Sequence, residues 1–288
     1  GTMKLGTRVE IDSKVTYAHQ TVDNRVYMQE SAGNAMWMLT IMPRNMRLED
    51  LRNNTVDTNG RELKFSDEPA TNNPYWTLEN LKNNDEKHHV ISFLSSKIDF
   101  ASWLNLKVQT GIDYNNLTTH EHFAPGSSEP RLNIEGGLTN IMDNHIDWNS
   151  DFMFNAKKEI SDKISTTLSF GGNHRYSNYN TLTQNGTVLN APGLYHISNA
   201  NNYSTGLGFG EKAVNSLFSL GSFTYNQWLY LDISLRNDWS STLPKGNNSY
   251  FYHSENLSFL FTEALGIKSS ILSGGRLRGS FGKVGNDT

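Results

Sequence analysis

The sequence predicts an all-β fold: an antiparallel transmembrane β-barrel segment with short periplasmic turns on one rim and long extracellular loops on the other. Three observations carry that expectation. Apolar and polar residues alternate with a period of two in successive paired runs, as in a strand with one oily and one wet face. Short connections within a pair alternate with long polar connections between pairs. An aromatic content of 11% accompanies a hydrophobic fraction of only 36% and a mean hydropathy of -0.56. That is too polar for an ordinary core and too aromatic for a disordered chain.

Taken in order, the first pair runs over residues 3–9, turns at IDSK (11–14) and returns over 15–22. The second covers 89–99, turns at 100–102, and returns with Leu104, Leu106, Val108, Ile112 and Tyr114 set against Asn105, Lys107, Gln109 and Asp113. In the third, Ile146, Trp148, Phe152, Phe154 and Ala156 alternate with Asp147, Asn149, Asp151, Asn155 and Lys157. It turns at KEISDK (158–163) and returns as Ile164, Thr166, Leu168, Phe170. The fourth covers 217–225, turns at Asn226 and Gln227, and returns as LYLDISLRNDWSS (229–241). The last joins Leu257, Phe259 and Phe261 to Leu277, Gly279 and Phe281 through a longer link. EIDSKVT and EISDKIST resemble each other, as one hairpin unit used twice would.

The links 23–88, 116–145, 175–213 and 240–255 are long, polar and poor in alternation. A compact soluble domain rarely carries several such loops, whereas an outer-membrane barrel has this asymmetry by construction. On this reading the oily rows face lipid, and Asp232, Arg236, Asp147, Asp151, Lys107 and Asp113 face a wet lumen or a plug. The strand from 229 to 239, tilted ~40°, covers roughly the 25 Å apolar band, placing Trp228 and Trp239 near opposite rims. Alternation alone would equally suit a soluble or surface-anchored β-sandwich that binds glycans, with aromatic loops as its site.

Composition also excludes. A net charge of -4 gives no basic field for nucleic acid. With no cysteine there is no disulfide, thiolate-zinc or cysteine-nucleophile chemistry. The longest apolar run, 35–39, is far short of the ~20 residues of a spanning helix. The chain opens GTMKLG without a signal-peptide pattern, as expected of a processed chain or an internal piece.

Side chains that suggest chemistry lack companions in the sequence. His120, Glu121 and His122 form an H-E-H run and His88 and His89 are adjacent, but no further ligand is visible and no metal site or cofactor is expected. Asp143, Asp147 and Asp151 recur on one strand face, where lumen polarity accounts for them without hydrolysis. GLGFG (206–210) and GGRLRG (274–279) lack the strand, loop and helix context of a phosphate cradle. Asn116-Leu117-Thr118 is a chance triplet in a chain this rich in Asn, Ser and Thr. No enzyme is expected.

Four segments appear in a telling order: NRVYMQESAGNAMWMLTIMPRNMRLEDLR (24–52), NPYW (73–76), RNDWSSTLP (236–244) and LRGSFGKVGND (277–287). Together they resemble the SusC/RagA-type TonB-dependent transporters of the Bacteroidetes outer membrane. Where that family usually reads F-Y-P-S, this chain has Phe251, Tyr252, His253 and Ser254, which puts a rim turn in doubt. The resemblance implies a barrel of about 22 strands around a plug, coupled to the TonB complex and capped by a SusD-like surface lipoprotein, importing oligosaccharides or peptides. Residues 1–288 would be a partial barrel domain, with the plug, the TonB-box segment through which TonB acts and the C-terminal strands absent. Outer-membrane lipid is then a further partner.

Aromatics in the long loops are the candidates for ligand or partner contact: Tyr75, Trp76, Tyr176, Tyr179, Tyr195 and Tyr203. Flat amphipathic rings suit both sugar stacking and protein docking. A helix-like patch lies near 43–52, and the loop that carries it is expected to meet the lipoprotein.

Overall fold

The computed structural model describes residues 1–28, 31, 33–67, 71–127 and 135–285. Parts of the 24–52 and 277–287 segments therefore lie outside the described residues. Ten strands form one antiparallel sheet in strict sequence order. They are β1 (Thr2–Leu5), β2 (Val9–Val22), β3 (Leu81–Ala101), β4 (Leu104–Phe123), β5 (Gly137–Ser161), β6 (Ile164–Leu189), β7 (Ala200–Tyr225), β8 (Leu229–Ser240), β9 (Ser249–Phe259) and β10 (Leu277–Gly282). Among the described residues no second sheet packs on this one. Leu106 and Phe154 are side-by-side neighbours in the β4–β5 ladder, not partners across a sandwich.

Register divides the side chains into two faces, because directly paired residues share a face and neighbours along a strand alternate. One face carries Val9, Ile11 and Val15 of β2, Leu106, Val108 and Ile112 of β4, Phe152 and Phe154 of β5, and Leu231, Ile233 and Leu235 of β8. The other carries Asp113, Asp147, Asp151, Asn173, Arg175, Asp232, Arg236 and Asp238. The apolar face is exposed rather than packed: Leu94, Val108, Trp148, Phe154, Phe170, Leu235 and Leu257 all face outward from it into the surroundings. On β5 the row from Ile146 to Ala156 spans roughly 25 Å at a tilt of about 40°. Aromatics bracket it: Trp103, Tyr225, Trp228 and Phe259 at one rim, Tyr17, Tyr114, Trp148 and Trp239 at the other. No helix is long and apolar enough to cross a membrane.

The short connections share one rim. They are residues 6–8, 102–103, 162–163 and 226–228. Asn226 and Gln227 have φ of 48° and 62°, as the two central residues of a tight hairpin turn require. The first turn differs from expectation, at 6–8 rather than 11–14. EIDSKVT thus lies within β2 while EISDKIST holds a turn, so their likeness does not mark a repeated hairpin. Phe251, Tyr252 and His253 lie inside β9 and not in a rim turn.

Most of the expected long loops prove to be strand. Residues 116–123, 137–145, 175–189 and 200–213 continue the ladders, leaving links of only 124–136, 190–199 and 241–248. The reason is physical: above the apolar rows both faces carry mainly polar side chains, so alternation vanishes while backbone pairing continues. Cross-strand polar pairs take over there. Asn116 Nδ2 donates to Asn144 Oδ1 at 2.7 Å, Thr119 Oγ1 to Asp85 Oδ1 at 2.8 Å, and Thr181 Oγ1 to Asp143 Oδ1 at 2.8 Å. The wall is uneven: β5, β6 and β7 have 25, 26 and 26 residues, β8 and β9 only 12 and 11, and β8 pairs with β7 only from Val214 on.

Residues 23–80 form the largest insertion and hold three short helices, α1 (Ala35–Ile41), α2 (Leu48–Asn53) and α3 (Pro74–Asn80). The expected patch at 43–52 corresponds to α2. Asn34 caps α1, its Oδ1 accepting from Met36 N and Trp37 N at 3.1 and 3.2 Å. Pro74 opens α3 at the position where a missing N–H does no harm.

Candidate binding surface

Two surfaces gather the polar and aromatic side chains: the cap formed by residues 23–80, and the polar face of the sheet.

The cap is held by buried amides. Asn73 Oδ1 accepts from Tyr75 N at 3.0 Å, while its Nδ2 donates to Leu51 O at 2.9 Å and Asn54 O at 3.2 Å. Its backbone N–H donates to Glu62 Oε1 at 2.8 Å, and Asn72 Nδ2 donates to Glu62 Oε2 at 2.7 Å. One buried carboxylate thereby joins α2, α3 and the strand-like bridge at Val56 and Glu62. The cap is tied to the sheet by the Arg25–Asp85 ion pair and by Trp76, whose Nε1–H donates to Ser127 Oγ at 3.0 Å. Between α1 and α3 an apolar cavity of about 190 Å³ is lined by Met36, Leu39, Leu48, Tyr75 and Leu78.

The polar face carries charges of both signs. Asp113, Asp147 and Asp151 occupy β4 and β5; His89 Nε2 lies 2.7 Å from Asp113 Oδ1, and His145 Nε2 lies 2.9 Å from Asp147 Oδ2. Asp147 Oδ1 and Asp151 Oδ2 accept no hydrogen bond from the described residues. Across β6 to β8, Arg175, Lys212 and Arg236 line a cavity of about 270 Å³ with Asn173, Asp238 and Tyr250. Arg236 is fixed by Asp238 at 2.7 Å and Ser216 at 2.9 Å, and Tyr252 Oη donates to Asp238 at 2.8 Å. The RNDWSS motif is therefore a lock: Arg236 and Asp238 brace β7–β9 from inside, Asn237 Nδ2 reaches Ser249 Oγ, and Ser240 N–H donates to Asn248 O.

The six aromatic candidates scatter. Tyr75 lies at the cap cavity with Arg52 5.1 Å above its ring. Trp76, 7% exposed, packs on Leu81 and Phe123 and is not presented to solvent. Tyr195 lies in the 190–199 link, stacked on His122 with centroids 4.5 Å apart. Burial lowers the His122 pKa, the His120 charge adding to it, and burial raises that of Tyr195. Tyr176, Tyr179 and Tyr203 sit on strands, not loops. Tyr176 pairs with Trp148 on the apolar face, Tyr179 covers Gly210 on the polar face, and Tyr203, 70% exposed, stands high on β7. The H-E-H run cannot converge, since strand alternation puts Glu121 on the face opposite His120 and His122. Sequence reading missed the cap amides Asn72 and Asn73, whose only signal was the N-P step opening α3.

No protein-family model matches the sequence, and no curated protein matches it. Solved structures do match. The RagAB peptide transporter superposes with a TM-score of 0.78 at 21% identity, over 99% of this chain and 32% of that one. The fold is that of a SusC/RagA-type barrel segment. The RagAB peptide importer in its open-open state gives 0.76 at 22% identity, covering 98% and 31%, and in its closed-closed state 0.75 at 21%, covering 98% and 31%. This chain thus spans about a third of the RagAB chain it matches.

Proposed function

We propose that this chain is part of the barrel of a TonB-dependent outer-membrane importer, taking up oligopeptides or oligosaccharides with a SusD-like lipoprotein as partner. The observation that carries this reading is the two-faced wall: one uncovered apolar face about 25 Å tall, bracketed by aromatics, backed by a charged face. In this frame lipid wets the outer face, and a plug and passing cargo meet the inner one. Peptide is the favoured cargo. The inner wall carries the carboxylates of Asp113, Asp147 and Asp151 on β4 and β5 and a cavity with three cationic side chains across β6–β8, a polarity that suits a chain of amides with charged ends. The RagAB neighbours are described as a peptide transporter and importer, which supports the same choice. The cap with its apolar cavity is the surface for the lipoprotein, and Tyr75 its nearest aromatic.

The test uses the full-length protein in its own host. Deleting its gene is expected to abolish growth on oligopeptides as sole nitrogen source, and affinity purification is expected to bring down a SusD-like lipoprotein. Growth lost on an oligosaccharide instead would reassign the cargo. Recovery of the protein from the soluble fraction would overturn the barrel reading. Removing residues 53–67 without loss of lipoprotein binding would remove the cap from the interface.

A further inference from the structure

Above the apolar rows on the outer face, β2 and β3 bring together three side chains that sequence distance conceals. His19 stands directly opposite His88 in the ladder, and Glu86 lies two residues from His88, hence on the same face. Directly opposed side chains in such a pair start about 5 Å apart at Cβ, so register alone makes them converge. His19 Nε2 is 3.1 Å from Glu86 Oε1, His88 Nε2 is 3.3 Å from the same oxygen, and the three ligand atoms all lie within 4.8 Å of one another. A tetrahedral ion with bonds of about 2.0–2.1 Å holds its ligand atoms about 3.3 Å apart. Two of the cluster's three edges, at 3.1 and 3.3 Å, already have that length.

Tyr17 adds a second observation. Its Oη lies 2.7 Å from His88 Nδ1, which leaves Nε2 pointing at Glu86. Metal-ligating histidines are typically held in this way through the ring nitrogen that does not bind the ion. The two imidazoles are parallel, 4.6 Å apart at 2°, so each must turn for both ring planes to pass through one ion. Side-chain exposures of 44% for His19, 53% for Glu86 and 39% for His88 leave room for that rotation and for entry from solvent.

We infer that His19, Glu86 and His88 form a three-ligand site for a divalent transition ion of the Zn²⁺ class, its fourth position open to water or an anionic group. Two imidazoles and one carboxylate suit Zn²⁺, whereas Ca²⁺ and Mg²⁺ take oxygen ligands. The inference rests on the β2–β3 pairing alone and is independent of cargo.

Full-length protein, purified in detergent, is dialysed against Zn²⁺ and its bound metal counted. Wild type is expected to hold one more Zn²⁺ per chain than the His19→Gln/His88→Gln variant. Glu86→Gln is expected to weaken binding at least tenfold, and Tyr17→Phe also about tenfold through lost positioning. Millimolar Ca²⁺ or Mg²⁺ is expected not to displace the ion. Equal Zn²⁺ content in wild type and the double variant, or displacement by Mg²⁺, overturns the site; unchanged affinity in Tyr17→Phe overturns the role of Tyr17. A heat-resistant band on electrophoresis confirms that each variant folds. Should the double variant lack it, Glu86→Gln, which keeps both rings, decides by the same count.

Discussion

Asn73 shows how much one buried amide can hold. It caps α3, donates twice to the end of α2, and offers its backbone N–H to Glu62, all without exposure to solvent. Asn73→Ala leaves a helix N–H and two carbonyls unpaired at once, which is expected to lower the local stability of the cap by about 2–3 kcal/mol. Hydrogen exchange over residues 71–80 checks this, against an unchanged rate in β4. His122 offers a pH-dependent counterpart. Its folded pKa lies below the ordinary histidine value, so the neutral ring is the form that packs on Tyr195. Below about pH 6.5 the unfolded link binds more protons than the folded one, so order in 190–199 is full at neutral pH and is lost on acidification. Protection of that segment, with the intrinsic pH dependence of amide exchange divided out, should fall between pH 7.5 and 5 in the wild type and stay flat in His122→Phe. Neither residue could be read from sequence. Asn73 looks like any loop asparagine until α2 arrives beside it, and His122 meets Tyr195 only after two ladders close.

At the scale of elements, strands with one oily face were legible and strands with two wet faces were not. Ile146, Trp148, Phe152 and Phe154 announce β5, but residues 137–145 of the same strand carry Thr, Asn, Asp and His on both faces and read as loop. Their pairing is set by continuation of the hydrogen-bonded ladder, which leaves no hydrophobic trace. The two faces differ in what they tolerate. Ile233→Arg, in the middle of the apolar row, is expected to destabilise the full barrel by about 2–4 kcal/mol, whereas Ser234→Arg on the polar face should change it little. Heat-resistant migration of the full-length protein distinguishes the two. The turn at 226–227 invites the opposite change. Gln227 holds a φ of 62° that glycine adopts without strain, so Gln227→Gly is expected to raise stability by about 1 kcal/mol, measured by denaturant midpoint in vesicles.

At the scale of the molecule, the ten-stranded sheet has free edges at β1 and β10 among the described residues. Residues 1–288 expressed alone are therefore expected to aggregate in detergent instead of giving a heat-resistant band, since each edge presents unpaired N–H and C=O groups. The meander order and the sidedness of the links were legible, because short and long connections alternate in the sequence itself; the height of the wall was not. That height has a mechanical consequence. With β5 to β7 about twice the length of β8 and β9, the upper edge of the sheet steps down at β8, and among the described residues the 200–213 half of β7 is braced by a ladder on its β6 side alone. The cavity lined by Arg175, Lys212 and Arg236 lies at that step, since Arg175 is level with Val214 and Ser240 in the ladders.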